Sequence, residues 1–242
     1  KNRVLGSKFR ELVQVRRRTA ELKGYDNYAR YSFEAVYGRD YTLQDAEGLC
    51  SDVKTRIVPL NNDIWYMDVA QESYDSLDLV EESSAQDILA GVGRAVGSVN
   101  PELGEIFRYM QDNELYDIQS GEDGQDRMDN NYTVGLPSYG DAFIFINRNH
   151  TFTDYQSLIH EFGHFSSYYY NSVPELFQGY SVDVCEVQSQ GLEMLVNQYA
   201  GDMFGEGAEA FEFETVTDML YVTIMSCMLQ EFEEAVYMEP DM

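Results

Sequence analysis

Residues 153–170 read TDYQSLIHEFGHFSSYYY. They hold two of the three histidines in a 242-residue chain, His160 and His164, with Glu161 between them. Thr153, with Gln156 three residues on, has the pattern of an N-cap and capping box, so a helix is expected to begin there. On that helix, side chains four residues apart share a face, which lets both imidazoles reach one metal ion. Glu161 lies about 100° around the axis from His160. It is poorly placed as a ligand and well placed to reach a water on the metal's open side, which is the chemistry of H-E-x-x-H. Leu158, Ile159, Phe162, Phe165 and Tyr169 supply an apolar face to pack inward. Gly163 costs about 1 kcal/mol of helix propensity against Ala, which a closely packed neighbour would offset.

A catalytic zinc takes three protein ligands and keeps one position open. No histidine follows His164, so a carboxylate must complete the set. The stretch SVDVCEVQSQGLEMLVNQYA (181–200) reads as a second helix, with Asp183, Glu186, Gln190 and Glu193 along one side. Glu186 is the candidate ligand, and on spacing alone Asp183 and Glu193 compete with it.

Around these two helices the pattern is mostly helical. Helices are expected over Ser7–Leu22, over 24–38, from the capping-box pattern Thr42–Asp45 to a stop before Pro59, after Ser84, and after Pro101. GVGRAVG (91–97) follows no strand, so its glycines read as close helix contacts and not as a dinucleotide loop. SGEDGQDRMDNN (120–131) lacks calcium-loop spacing and reads as a flexible loop. AFIFIN (142–147) is the best strand, expected at a sheet edge where it would hold an extended substrate backbone. The expectation is a mainly α fold with a small β patch, in which an H-E-x-x-H helix packs against a glutamate-bearing helix. Residues 1–119 form its helical part and 120–242 its zinc-binding part, within one structural unit.

All sixteen Lys and Arg lie between Lys1 and Arg148, whereas residues 149–242 carry 17 acids and no base. A net charge of −27 repels phosphate backbones and anionic lipid, which argues against nucleic acid and membranes as partners and favours basic ligands. No run of about 18 apolar residues is present. The N-terminal stretch lacks an apolar signal core, so a cytoplasmic location is expected. Cys50, Cys185 and Cys227 form no C-x-x-C pair, so neither a disulfide framework nor a cysteine zinc site is indicated.

At this point the residues resemble a known family, the M3-type gluzincin oligopeptidases related to thimet oligopeptidase and bacterial oligoendopeptidase F. HEFGH is followed by Glu186-Val187-Gln188-Ser189-Gln190-Gly191-Leu192-Glu193, similar to the family's E-x-x-S-Q helix with a further glutamate. FIFINRNHTFTDYQSLIHEFGH (143–164), RTAELKGYDNYARYS (18–32) and MLQEFEEAVY (228–237) resemble further family segments. The resemblance implies that His160, His164 and Glu186 bind one Zn2+ and that Glu161 is the general base. It implies that Glu193 fixes the tautomer of a ligand histidine. It also implies that the chain is the core of a catalytic domain truncated at both ends. Residues 120–131 depart from the family pattern, being acidic where the family has a Gly- and Lys-bearing loop.

The resulting expectation is zinc-dependent hydrolysis of internal bonds in short peptides. Rival readings are a catalytically silent zinc-binding module, a helical interaction protein without metal, and a zinc aminopeptidase. His150, the remaining imidazole, reads as a solvated turn residue, with a substrate contact as the alternative. Tyr168 and Tyr169 read as packing residues first and oxyanion donors second.

Overall fold

The computed structural model describes residues 2–65, 83–121, 127–171 and 182–238. In chain order the helices are α1 (Asn2–Leu22), α2 (Tyr28–Tyr31), α3 (Leu43–Asp52), α4 (Val58–Trp65), α5 (Ala85–Val99) and α6 (Pro101–Asp112). After the strands β1 (Tyr116–Ser120), β2 (Tyr132–Leu136) and β3 (Asp141–Arg148) come α7 (Thr153–Tyr170), α8 (Val187–Asn197), α9 (Gly201–Phe204) and α10 (Ala208–Met238). The chain is mainly α with one small sheet. Among the described residues no helix is long and apolar enough to cross a membrane. Contacts divide the chain into two compact units, Lys1–Tyr66 with Asp218–Met242, and Met67–Thr217.

In the first unit Val13, Ala29, Val236 and Tyr237 form a small buried cluster. The Arg16 guanidinium donates to the Tyr237 hydroxyl at 2.7 Å, and Arg17 donates to the Val236 carbonyl at 2.8 Å. Thr42 and Asp45 cap α3 reciprocally, as their spacing predicts. The helix does not stop before Pro59. It widens into a π turn over Val53–Ile57 and continues as α4. A proline ring lacks the N–H of the regular ladder and crowds the preceding carbonyls, and a wide turn just upstream is one way to accommodate both. A π turn, Ser32–Val36, likewise continues the short α2.

The second unit holds the larger core. Ser84 and Asp87 form a capping box on α5, and Asn100 caps α6 with Pro101 in its first turn. These two helices meet backbone to backbone. A Cβ on Gly104 would lie 2.9 Å from the Gly97 Cα, while Gly91 and Gly93 face the rings of Tyr155 and Phe107. The glycine-rich stretch is thus helix packing.

The sheet has the order β1-β3-β2, with β1 parallel and β2 antiparallel to β3. The expected strand at 142–147 is present, but its expected position is corrected. It is the central strand, hydrogen-bonded on both sides, and has no open edge to offer a substrate. Ala142, Ile144 and Ile146 are buried on alternate positions and join Leu158, Ile159, Phe162 and Phe165 of α7 in one core. At the end of β3, Arg148 Nε lies 3.3 Å from Asp154 Oδ2, and Asp154 also accepts from the Asn149 and His150 amides. This buried carboxylate ties the β3–α7 turn together. Thr153 is the first residue of α7 and not its cap; the expected box with Gln156 does not form, and Phe152 occupies the cap position. Of the expected loop at 120–131, residues 122–126 lie outside the described residues.

Candidate metal centre and catalytic site

His160 and His164 project from the same face of α7, as four-residue spacing requires, and their Nε2 atoms are 3.2 Å apart. Glu186 meets them from the start of α8. Its Oε2 lies 3.2 Å from His160 Nε2 and 3.4 Å from His164 Nε2. Donors bound at about 2.0–2.1 Å to a tetrahedral metal are about 3.3–3.4 Å from one another, so these three atoms form the face of a tetrahedron sized for such an ion. Among the described residues, this trio is the one group of three or more His, Cys, Asp or Glu side chains able to share a metal ion.

The two helices reach this separation because Gly163 has no side chain. A Cβ there would lie 2.5 Å from the Ser189 Cα and 2.9 Å from the Gln188 carbonyl. Glu186 itself is not helical; α8 begins one residue later, and Asp183 lies in a separate short turn at Val182–Val184. The expected run of one helix from 183 to 193 is therefore corrected. The Glu186 carboxylate is oriented by Ser189, whose hydroxyl donates to Oε2 at 2.7 Å, and Cys185 Sγ lies 3.6 Å from Oε1. Burial would raise the Glu186 pKa, but the Ser189 hydrogen bond and the two imidazoles outweigh it and hold the carboxyl below its ordinary value.

Glu193, further along α8, is buried with Oε1 at 2.7 Å from His160 Nδ1. A carboxylate accepts, so Nδ1 carries the proton and the neutral ring presents the Nε2 lone pair to the other two donors. Burial depresses the His160 pKa, yet the Glu193 hydrogen bond and the surrounding carboxylates raise it overall.

Glu161 occupies the adjacent side of α7 and is only 6 % exposed. Burial raises its pKa above the ordinary carboxyl value, against the opposing pull of a Thr133 hydrogen bond and the imidazoles. Thr133 Oγ1, on β2, lies 2.7 Å from Glu161 Oε2 and 2.8 Å from the Glu161 carbonyl oxygen. Two residues earlier Asn131 donates to Ser157 Oγ at 2.8 Å and accepts from the Asn147 amide at 2.9 Å. The strand step of two residues and the helix step of four are both about 6–7 Å, so Asn131, just before β2, and Thr133, within it, meet successive turns of α7. Gly135 continues this face, where a Cβ would lie 2.7 Å from the Tyr168 ring.

His150 stands apart, in a left-handed turn conformation with φ of 62°. Tyr169 packs edge-on against Tyr109, and Tyr168 covers Gly135. Sequence reasoning does not find the participation of β2, because YTVGL is short and mixed in polarity. The signal is present only as a weak alternation after Asn131.

No family model and no curated protein match the chain. Solved structures do. One described as a candidate oligoendopeptidase F superimposes with a TM-score of 0.80 at 28 % identity, covering all of this chain and 45 % of that one. The chain shares its fold with solved peptidases. Inhibitor-bound PZ peptidase A gives 0.75 at 24 % identity, over 96 % of this chain and 43 % of that one. A candidate oligoendopeptidase F from Bacillus anthracis gives 0.77 at 22 % identity, over 100 % of this chain and 46 % of that one. This chain spans less than half the length of each of these structures.

Proposed function

We propose that this chain is the core of a zinc-dependent peptidase that cleaves internal bonds of short peptides. His160, His164 and Glu186 hold the metal, and Glu161 is the general base. The observation that carries this reading is the triangle of Nε2, Nε2 and Oε2 with edges of 3.2, 3.2 and 3.4 Å. Two imidazoles and one carboxylate are a donor set suited to catalytic zinc, leaving one position open. The fold shared with oligoendopeptidase structures supports it.

Zinc, when bound, supplies a Lewis acid that lowers the pKa of a coordinated water from about 16 toward about 7 and polarises a carbonyl. The protein's own groups do the rest. Glu193 keeps the His160 ring turned with its Nε2 lone pair inward. Glu161, made more basic by burial, accepts the proton of the attacking water and returns it to the leaving amine. β2 has one strand neighbour among the described residues, so its outer edge, beside Glu161, is where an extended peptide would add as a further strand.

The deciding experiment is zinc content by elemental analysis, paired with cleavage of an end-blocked, internally quenched peptide with and without chelator. About one zinc per chain and chelator-sensitive cleavage are expected. Zinc without cleavage would favour the silent metal-binding module, and cleavage of free-amine peptides alone would favour an aminopeptidase. No zinc after loading and dialysis would overturn the reading.

A further inference from the structure

We infer that Thr133 is the positioning residue for Glu161, fixing which carboxylate oxygen is left to move the proton. The inference rests on the peptidase reading above, but its geometry belongs to the chain alone. Thr133 Oγ1 has two acceptors within reach, Oε2 of Glu161 at 2.7 Å and the carbonyl of the same residue at 2.8 Å. A hydroxyl has one hydrogen to give, and a charged acceptor at the shorter distance takes it. One lone pair of Oε2 is thereby occupied. Among the described residues Oε1 makes no hydrogen bond, and it is the oxygen left for the reacting proton.

A buried carboxylate on a helix has several rotamers open to it, and a proton acceptor must lie within hydrogen-bond reach of its donor. Thr133 removes that freedom. Its own place is set by contacts on either side, namely Asn131 just before β2 bridging Ser157 and Asn147, and Gly135 within it against Tyr168. The segment is thus pinned along α7 at three points, with the hydroxyl at the middle one. A consequence is that the base is aligned from the strand whose outer edge would receive substrate, and not from the metal ligands. Displacing β2 would misalign Glu161 without touching His160, His164 or Glu186.

The test compares Thr133→Val, which keeps the shape and loses the hydroxyl, with Thr133→Ser, which keeps the hydroxyl. Zinc content, kcat and KM on the blocked peptide, and the melting temperature of the metal-free protein are measured for each. Thr133→Val should keep its zinc and its KM while kcat falls by about 10–100-fold, and Thr133→Ser should stay within about threefold of the parent chain. A strap that only held the strand would be lost as stability or KM, and serine would restore neither selectively. Thr133→Val with unchanged kcat, or Thr133→Ser as slow as Thr133→Val, overturns the inference.

The metal-free protein gives a readout independent of turnover. The melting-temperature loss caused by Thr133→Val should shrink when Glu161→Ala is already present, since the two side chains are partners. If the parent chain binds no zinc or cleaves nothing, the peptidase reading fails, and the positioning inference is then decided by this cycle. Strictly additive losses overturn it.

Discussion

Gly163 of α7 and Ser189 of α8 touch through their main chains, with no room between them for a single methyl group: an added Cβ would sit 2.5 Å from the Ser189 Cα. Both neighbours at that point are backbone, so nothing can rotate away. Alanine would gain about 1 kcal/mol of helix propensity. The overlap should outweigh it, leaving Gly163→Ala destabilised by about 1–3 kcal/mol in denaturant unfolding. Ser189 also orients Glu186. Pushing α8 outward should therefore weaken metal binding along with stability. A variant as stable as the parent, with unchanged zinc affinity, would show that the two helices separate without cost.

Glu193 offers a second handle on the same centre. It touches only the far nitrogen of His160, so its removal leaves all three donors in place while freeing the ring to rotate or to exchange tautomers. Glu193→Ala should weaken zinc binding by about 10–100-fold. Competition against a chromophoric chelator would measure this. Equal affinities would mean that packing alone orients the ring.

How far the sequence discloses this arrangement differs from part to part. Four-residue spacing is local geometry, so the sequence alone places His160 and His164 on one helical face. Gly163 is marked as a site of close approach because its propensity cost calls for an offset. The capping box at Thr42 and the helix start after Ser84 are legible for the same local reason, and both form. At Thr153 the same rule misleads, because Asp154 takes over the turn through the Asn149 and His150 amides. Helical periodicity carried back from Glu193 also overruns the start of α8 by several residues, since a short 3-10 turn preserves apparent spacing.

Sheet order is illegible in the sequence. Strand pairing is a contact between distant segments, and the apolar run 142–147 indicates burial without saying how many neighbours provide it. Its central place follows from Tyr116–Ser120 and Tyr132–Leu136, which carry too little apolar character to be seen alone. Thr133 is missed along with its strand.

The α5 cap gives a pH dependence with a definite sign. Hydrogen bonds from the Ser84 hydroxyl and amide hold the Asp87 carboxyl below its ordinary pKa. A carboxyl whose folded pKa is depressed contributes stability above its unfolded value, near about 3.9, and loses it as pH falls through the folded value. The melting-temperature gap between parent and Asp87→Ala should therefore be constant above about pH 5 and narrow toward pH 2–3. A gap independent of pH would assign the cap to Ser84 alone.

Charge should act on substrate capture. Residues 149–242, which contain His160, His164, Glu186 and Glu193, carry 17 acids and no lysine or arginine. If the chain cleaves peptides, a Lys-rich peptide should have a higher kcat/KM at low salt than a matched Glu-rich one. The advantage should fade as ionic strength rises and the screening length falls to about 8–10 Å. Equal rates at low salt would remove any steering role for the acidic field.

Glu161→Gln separates the proposed base from the proposed metal site most cleanly. The substitution keeps the side chain's volume, and its amide oxygen can still accept from Thr133, so β2 and α7 should stay in register. None of the three converging donors is altered. What disappears is the capacity to take a proton, because an amide is not a base at neutral pH. The variant should bind the same zinc as the parent and show no measurable cleavage. Undiminished cleavage would mean that another group accepts the proton. Lost zinc would mean instead that the Glu161 carboxylate helps hold the metal, contrary to its place on the adjacent side of α7 and its hydrogen bond to Thr133.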